Sequence, residues 1–127
     1  MPVAGGPRSL ATADFDQDGW LDVATANPSG NSLTLLSGGP TGLAAAGPAI
    51  PLPGGPFAVE TYDLNGDGDA DLVVGTGTDV GLLLGGAGFT FGAALRAATS
   101  APTGLALADL NGDGRIEIAT AGTSGQT

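Results

Sequence analysis

Apolar and polar positions along this chain change places over short stretches that suit strands. Ser9-Leu10-Ala11-Thr12-Ala13, Ala58-Val59-Glu60-Thr61-Tyr62 and Gly104-Leu105-Ala106-Leu107-Ala108 each read as a strand running into an acidic segment. Beyond that segment come Val23-Ala24-Thr25-Ala26, Leu72-Val73-Val74-Gly75 and Ile118-Ala119-Thr120-Ala121, which read as the returning strand of a hairpin. Third strands are expected at Ser32-Leu33-Thr34-Leu35-Leu36 and Val80-Gly81-Leu82-Leu83-Leu84, each followed by a glycine pair, Gly38-Gly39 and Gly85-Gly86. Weaker fourth strands are expected around Ala49-Ile50-Pro51-Leu52 and Phe89-Thr90-Phe91-Gly92-Ala93. Pro51 suits an edge strand, which does not need every backbone donor. Glycine and proline interrupt the chain too often for a sustained helical period.

The pattern repeats. Asp14 to Asp63 is 49 residues and Asp63 to Asp109 is 46, a period in the range of propeller blades. Pro7, Pro56 and Pro102 stand at the same distance before the first aspartate of each acidic segment. Four strands per repeat with the fourth at an edge predict an all-β fold of four-stranded antiparallel propeller blades, about two and a half of them. The chain is read as one repeat region, 1–127, with repeats near 1–49, 50–95 and 96–127, the last truncated. Met1 to Pro7 aligns with Ile50 to Pro56, so the chain is expected to open at the end of a fourth strand. Propellers close with about four to eight blades, which implies either a piece of a longer propeller or a protomer of an assembled ring. A ring would lack strands three and four of its third blade, which favours the piece.

The acidic segments carry the chemistry. Asp14-Phe15-Asp16-Gln17-Asp18-Gly19-Trp20-Leu21-Asp22, Asp63-Leu64-Asn65-Gly66-Asp67-Gly68-Asp69-Ala70-Asp71 and Asp109-Leu110-Asn111-Gly112-Asp113-Gly114-Arg115-Ile116-Glu117 follow one design. Oxygen side chains stand at positions 1, 3, 5 and 9, with glycine at position 6 for the sharp bend. A hard cation needing six to eight oxygens selects such a set, and the ion expected is Ca²⁺, at three sites. Mg²⁺ prefers a tighter octahedron and keeps its waters. The motif is not an EF-hand, because position 12 would be Thr25, Val74 or Thr120 and none is the closing glutamate. Asp-Gly and Asn-Gly also mark plain turns, but a turn does not ask for acids at positions 1, 5 and 9 three times over.

Composition supports this reading. Of 13 acids, Asp14, Asp16, Asp18, Asp22, Asp63, Asp67, Asp71, Asp109, Asp113 and Glu117 occupy proposed ligand positions, and only Glu60, Asp69 and Asp79 do not. The formal charge of −10 argues against nucleic acid and anionic membrane surfaces as partners. With neither cysteine nor histidine, disulfides, thiol chemistry and the commonest general base are excluded. No apolar run is long enough to cross a membrane as a helix.

Other side chains have plainer readings. Trp20 is expected to pack beside its loop, although an aromatic ring can also serve as a sugar platform. Tyr62 reads as core, Asp69 and Arg115 as solvated, and Arg8 and Arg96 as surface charges. Glu60 with Tyr62 is too slight a basis for catalysis.

The chain resembles the FG-GAP/VCBS repeat family, whose β-propeller blades also build the head of integrin α subunits. The triple acidic loop at propeller spacing carries the resemblance, together with Phe91-Gly92 followed by Ala101-Pro102 ahead of the third loop. It implies a further ligand at position 7, the backbone carbonyl of Trp20, Asp69 and Arg115. Loop 1 departs from the commonest form in having Gln17 at position 4, and loop 3 in closing with Glu117. The resemblance implies a non-catalytic Ca²⁺-binding module with structural and recognition roles of adhesion type, its ligand a protein or glycan surface. Alternatives are a carbohydrate-binding, lectin-like propeller, or a propeller fragment of a secreted polysaccharide-acting enzyme. An extracellular or cell-envelope location in a bacterium is expected, without membrane insertion, with a homo-oligomer possible if the chain is not a fragment.

Overall fold

The computed structural model describes residues 6–92, 95–98, 102–108, 110–114 and 117–122. Among these residues the chain forms strands and no helix: β1 (Ser9–Ala13), β2 (Asp22–Asn27), β3 (Ser32–Ser37), β4 (Ala44–Ala45), β5 (Ile50–Pro51), β6 (Ala58–Tyr62), β7 (Asp71–Gly75), β8 (Asp79–Leu83), β9 (Leu95–Ala98), β10 (Pro102–Ala108) and β11 (Glu117–Gly122). Every pairing is antiparallel. One sheet runs β1-β2-β3 with β4 and β5 both on the outer edge of β3, a second runs β6-β7-β8-β9, and β10 pairs with β11. Each acidic segment joins the first two strands of its sheet, as the sequence pattern requires.

The first fourth strand is broken, for a visible reason. Ala45 faces Leu36, whereas Ile50 faces Leu33, so five positions on one side span three on the other and two residues loop out. Gly47, at φ 85°, turns the chain there, and Pro48 beside it has no N–H to offer the ladder. The second fourth strand departs from expectation. It is β9, with Leu82 opposite Leu95 and Asp79 opposite Ala98, while Phe91 makes only an isolated bridge to Gly85. Phe89 and Phe91 are drawn inward instead, against Phe15 of the first acidic loop, with ring centroids 6.1 Å and 5.7 Å away. Aromatic burial outweighs the alternation that made this stretch look like a regular strand. The expected opening strand at Met1 to Gly5 lies outside the described residues.

One core joins the first two sheets. Ala24, Ala26, Leu33 and Leu35 on the first, and Val59, Leu72, Val74 and Leu83 on the second, form a single buried cluster with Phe15 and Leu52. Burying a Leu or Val is worth roughly 1.5–3 kcal/mol, so this cluster is the main cohesive element between blades. Inner strands β1 and β6 lie side by side. The Val59 N–H donates to Ser9 Oγ (3.2 Å) and the Thr61 hydroxyl to the Thr12 carbonyl (3.0 Å). On the other face of the second sheet Val73 and Val80 are buried, and β10 lies against β6 and β7.

Tyr62 does not join the core. It is 47% exposed, because strand alternation puts it opposite in sense to Val59 and its cross-strand partner is Asp71 at the loop rim.

Candidate metal centre

Loop 1 leaves β1 and returns as β2, and its carboxylates are drawn together by the backbone between them. Asp14 Oδ1 accepts the Asp18 N–H (3.0 Å) and Oδ2 accepts that of Gly19 (2.9 Å). Asp16 Oδ1 accepts the Asp18 N–H (3.2 Å), and Asp18 Oδ1 accepts the Trp20 N–H (2.8 Å). Gly19 makes the bend at φ 93°, as do Gly68 and Gly114 in the other loops. As a result one oxygen each from Asp14, Asp16 and Asp18 lies within 4.8 Å of the others.

Loop 2 repeats this network bond for bond. Asp63 Oδ1 accepts from Asp67 N (3.1 Å) and Oδ2 from Gly68 N (2.9 Å). Asn65 Oδ1 accepts from Asp67 N (3.2 Å), and Asp67 Oδ1 from Asp69 N (2.9 Å). Position 3 is an amide here, so two carboxylates and one amide oxygen stand where loop 1 has three carboxylates. In loop 3 the Asp113 N–H donates to Asn111 Oδ1 (3.1 Å). Asp109 and Arg115 lie outside the described residues.

The acid at position 9 has a role that sequence reasoning missed. Asp22 and Asp71 are fully buried, and each uses both carboxylate oxygens on backbone amides. Asp22 Oδ2 accepts from Phe15 N (2.7 Å) and Oδ1 from Gly38 N (2.8 Å). Asp71 accepts from Leu64 N (2.7 Å) and Gly85 N (2.8 Å) in the same way. Glu117 keeps the first of these bonds, with Oε2 accepting from Leu110 N (2.6 Å). The carboxylate therefore ties the start of the acidic loop to the exit of the third strand. Each oxygen retains a second lone pair with which to meet a cation. The glycine pairs after the third strands were the available signal, but their partners lie in another part of the chain.

Position 4 takes a left-handed backbone in all three loops, at φ 73° in Gly66, 77° in Gly112 and 60° in Gln17. A side chain there is strained. Gln17 offsets this by reaching loop 2, where its Nε2 donates to Asp69 Oδ1 at 2.8 Å. Asp69 is thus not merely solvated as expected, since it accepts an inter-loop bond. Trp20, also at position 7, is 47% exposed. It lines a shallow cleft of about 380 Å³ with Leu21, Gly38, Gly39, Gly42 and Leu43.

The donor set fits a hard divalent cation. Three like-charged carboxylates are held together by backbone amides, with no cationic side chain bonded to them among the described residues, and a divalent ion would supply the missing positive charge. Partial loss of solvent raises the Asp16 carboxyl above its ordinary 3.8, and the charges of Asp18, Asp22 and Asp14 add to the rise, against the lowering by the Asp18 N–H. A carboxyl raised in the folded state contributes stability that is present below the unfolded value and lost as pH rises through the folded one. Asp16→Asn is therefore expected to raise the melting temperature of the metal-free chain at neutral pH, with the gain vanishing on acidification through that range. Melts of both chains in EDTA across pH would check this, and the same substitution is expected to weaken cation binding.

Antiparallel blades whose first hairpin is closed by an acidic cage define a β-propeller repeat module. The chain belongs to the FG-GAP-like repeat family, whose model matches residues 14–74 and again 63–120. The matches overlap on the second acidic loop and the start of β7, so each spans from one loop past the next. Neither a curated protein nor a solved structure matches the chain.

Proposed function

We propose that this chain is a Ca²⁺-binding propeller module, non-catalytic, whose loops fasten blades that present a recognition surface of adhesion type to a protein or glycan outside the cell or at its envelope. The observation that carries the reading is the convergence of Asp14, Asp16 and Asp18 within 4.8 Å, in a loop whose hydrogen bonds recur in loop 2. Asp14, Asp16, Asp18 and Asp22 would hold the ion in loop 1, with the Trp20 carbonyl. Asp63, Asn65, Asp67 and Asp71 would do so in loop 2, with that of Asp69. Loop 3 would use Asp109, Asn111, Asp113 and Glu117 with the Arg115 carbonyl. The bound charge would neutralise the cage and hold both strands of the hairpin. Among the described residues no helix is long and apolar enough to cross a membrane.

The chain's single tryptophan stands in loop 1, which gives a direct test. Tb³⁺, a Ca²⁺ mimic, is expected to show emission sensitised by Trp20, displaced by Ca²⁺ at roughly 10⁻⁴–10⁻³ M, the range of extracellular modules. Asp16→Ala is expected to abolish it. No sensitised emission from the intact chain would count against the reading. The exposed Trp20 beside a glycine-lined cleft favours carbohydrate as the second reading for the recognised partner, and a glycan array with and without Trp20→Ala separates it from protein recognition.

A further inference from the structure

At positions 3 and 4 loop 2 carries the dipeptide Asn65-Gly66 where loop 1 has Asp16-Gln17. Two groups converge on it, the Asp63 carboxylate and the Asp67 N–H. The Gly66 N–H donates to Asp63 Oδ1 at 2.8 Å, within the reach a general base needs. The Asn65 side chain folds back along its own backbone, its Oδ1 accepting the Asp67 N–H at 3.2 Å, which lays the amide carbon alongside the Gly66 peptide. That same N–H points at the oxygen on which charge develops if the amide is attacked. Gly66 has open space around it and both residues are exposed, so neither ring closure nor water is obstructed.

The geometry points to Asn65 as a self-modification site in the metal-free loop. The Gly66 nitrogen attacks Asn65 Cγ while Asp63 takes its proton, and a C–N bond forms. The bond from Cγ to the side-chain nitrogen breaks, and that nitrogen leaves as ammonia with the proton returned by Asp63. Water then opens the cyclic imide at either carbonyl, leaving aspartate or isoaspartate. No oxidant or reductant is involved. Aspartate gives loop 2 the third carboxylate that Asp16 gives loop 1, whereas isoaspartate adds a backbone carbon between positions 3 and 4 and breaks the ligand spacing. A bound cation would engage Asp63 and Asn65 together, removing base and electrophile at once. This protection rests on the Ca²⁺ reading, but the modification itself does not.

Internal controls are built in. Asn27 precedes Pro28, which has no N–H, and Asn31 precedes Ser32 in β3. The full chain, held in EDTA near neutral pH, is followed by peptide mapping, with isoaspartate and ammonia assayed in parallel. Conversion at Asn65 is expected to outrun that at Asn31, to slow roughly a hundredfold in Asp63→Asn, the low end for a positioned base, and to fall to about the Asn31 rate in Gly66→Gln. The last copies the residue that loop 1 accommodates at the same backbone position, and circular dichroism checks that it folds. An Asn65 as inert as Asn31 in EDTA would overturn the modification, and a folded Asp63→Asn chain converting at the parental rate would overturn the role of Asp63. Excess Ca²⁺ is expected to slow conversion severalfold. Ca²⁺ raising the melting temperature of an Asp16→Ala chain, whose first loop is disabled, more than that of an Asp16→Ala/Asp67→Ala chain, without any slowing at Asn65, would overturn the protection alone.

Discussion

Replacing Asp71 with alanine is expected to cost about 3–5 kcal/mol of folding stability, against roughly 5–15 for a whole domain. The carboxylate is fully buried, and its two oxygens serve the Leu64 and Gly85 amides at 2.7 and 2.8 Å. Alanine strands both donors, each worth about 1–3 kcal/mol when left unsatisfied, and removes two charge-assisted bonds. Asp71→Asn is expected to lose about half as much, because the amide keeps one acceptor and turns a donor toward the other N–H. Asp69→Ala, in the same loop but with a side chain that bonds only Gln17 among the bonds above, is the control and is expected to stay within about 0.5 kcal/mol. Urea unfolding of the four chains in EDTA measures this without metal effects.

Gly85→Ala is expected to be comparably damaging, at about 3 kcal/mol or more, by a steric route. A Cβ on Gly85 would lie 2.0 Å from the Ala70 carbonyl oxygen, and one on Gly38 would lie 1.9 Å from that of Leu21. Ordinary C···O approaches are about 3.3 Å, and a backbone carbonyl between two strands cannot swing aside as a side chain does. Neither glycine has a left-handed backbone, so the requirement is for space. The same residues donate to Asp71 and Asp22, so relieving the clash also breaks the carboxylate bond. Asp71→Ala and Gly85→Ala together are therefore expected to cost less than their sum. Gly39→Ala, whose nearest neighbour would be the Gly42 oxygen at 3.9 Å, is expected to be nearly neutral in the same unfolding series.

Much of this arrangement is legible in the sequence because it is local. β1 and β6 fall on Ser9–Ala13 and Ala58–Tyr62, the residues that alternation picks out, and the acidic loops sit between strands as the flanking runs imply. Less local features were hidden. The true second edge strand, Leu95–Ala98, could not be chosen over Phe89 and Phe91 without knowing that Phe15, far back in the chain, would claim those rings. Gln17 looked like a simple departure from glycine until Asp69 was found beside it. Asp22 and Asp71 could be read as candidate ligands, but their hold on Gly38 and Gly85 depends on strand pairing that no spacing rule reveals.

On the proposed function the acidic loop fastens the blade in two layers, a buried carboxylate whose amide bonds form without an ion and an exposed cage that a cation would hold. The most direct measurement of the second layer is the thermal melt of the chain in EDTA and after Ca²⁺ is restored. Each loaded site at about 1 mM Ca²⁺ is expected to add roughly 0.4–1.4 kcal/mol by mass action. The melting temperature should therefore fall in EDTA, recover on Ca²⁺ addition and climb further with Ca²⁺ concentration, with Mg²⁺ a poor substitute. Superimposable melts in EDTA and in millimolar Ca²⁺ would contradict the account.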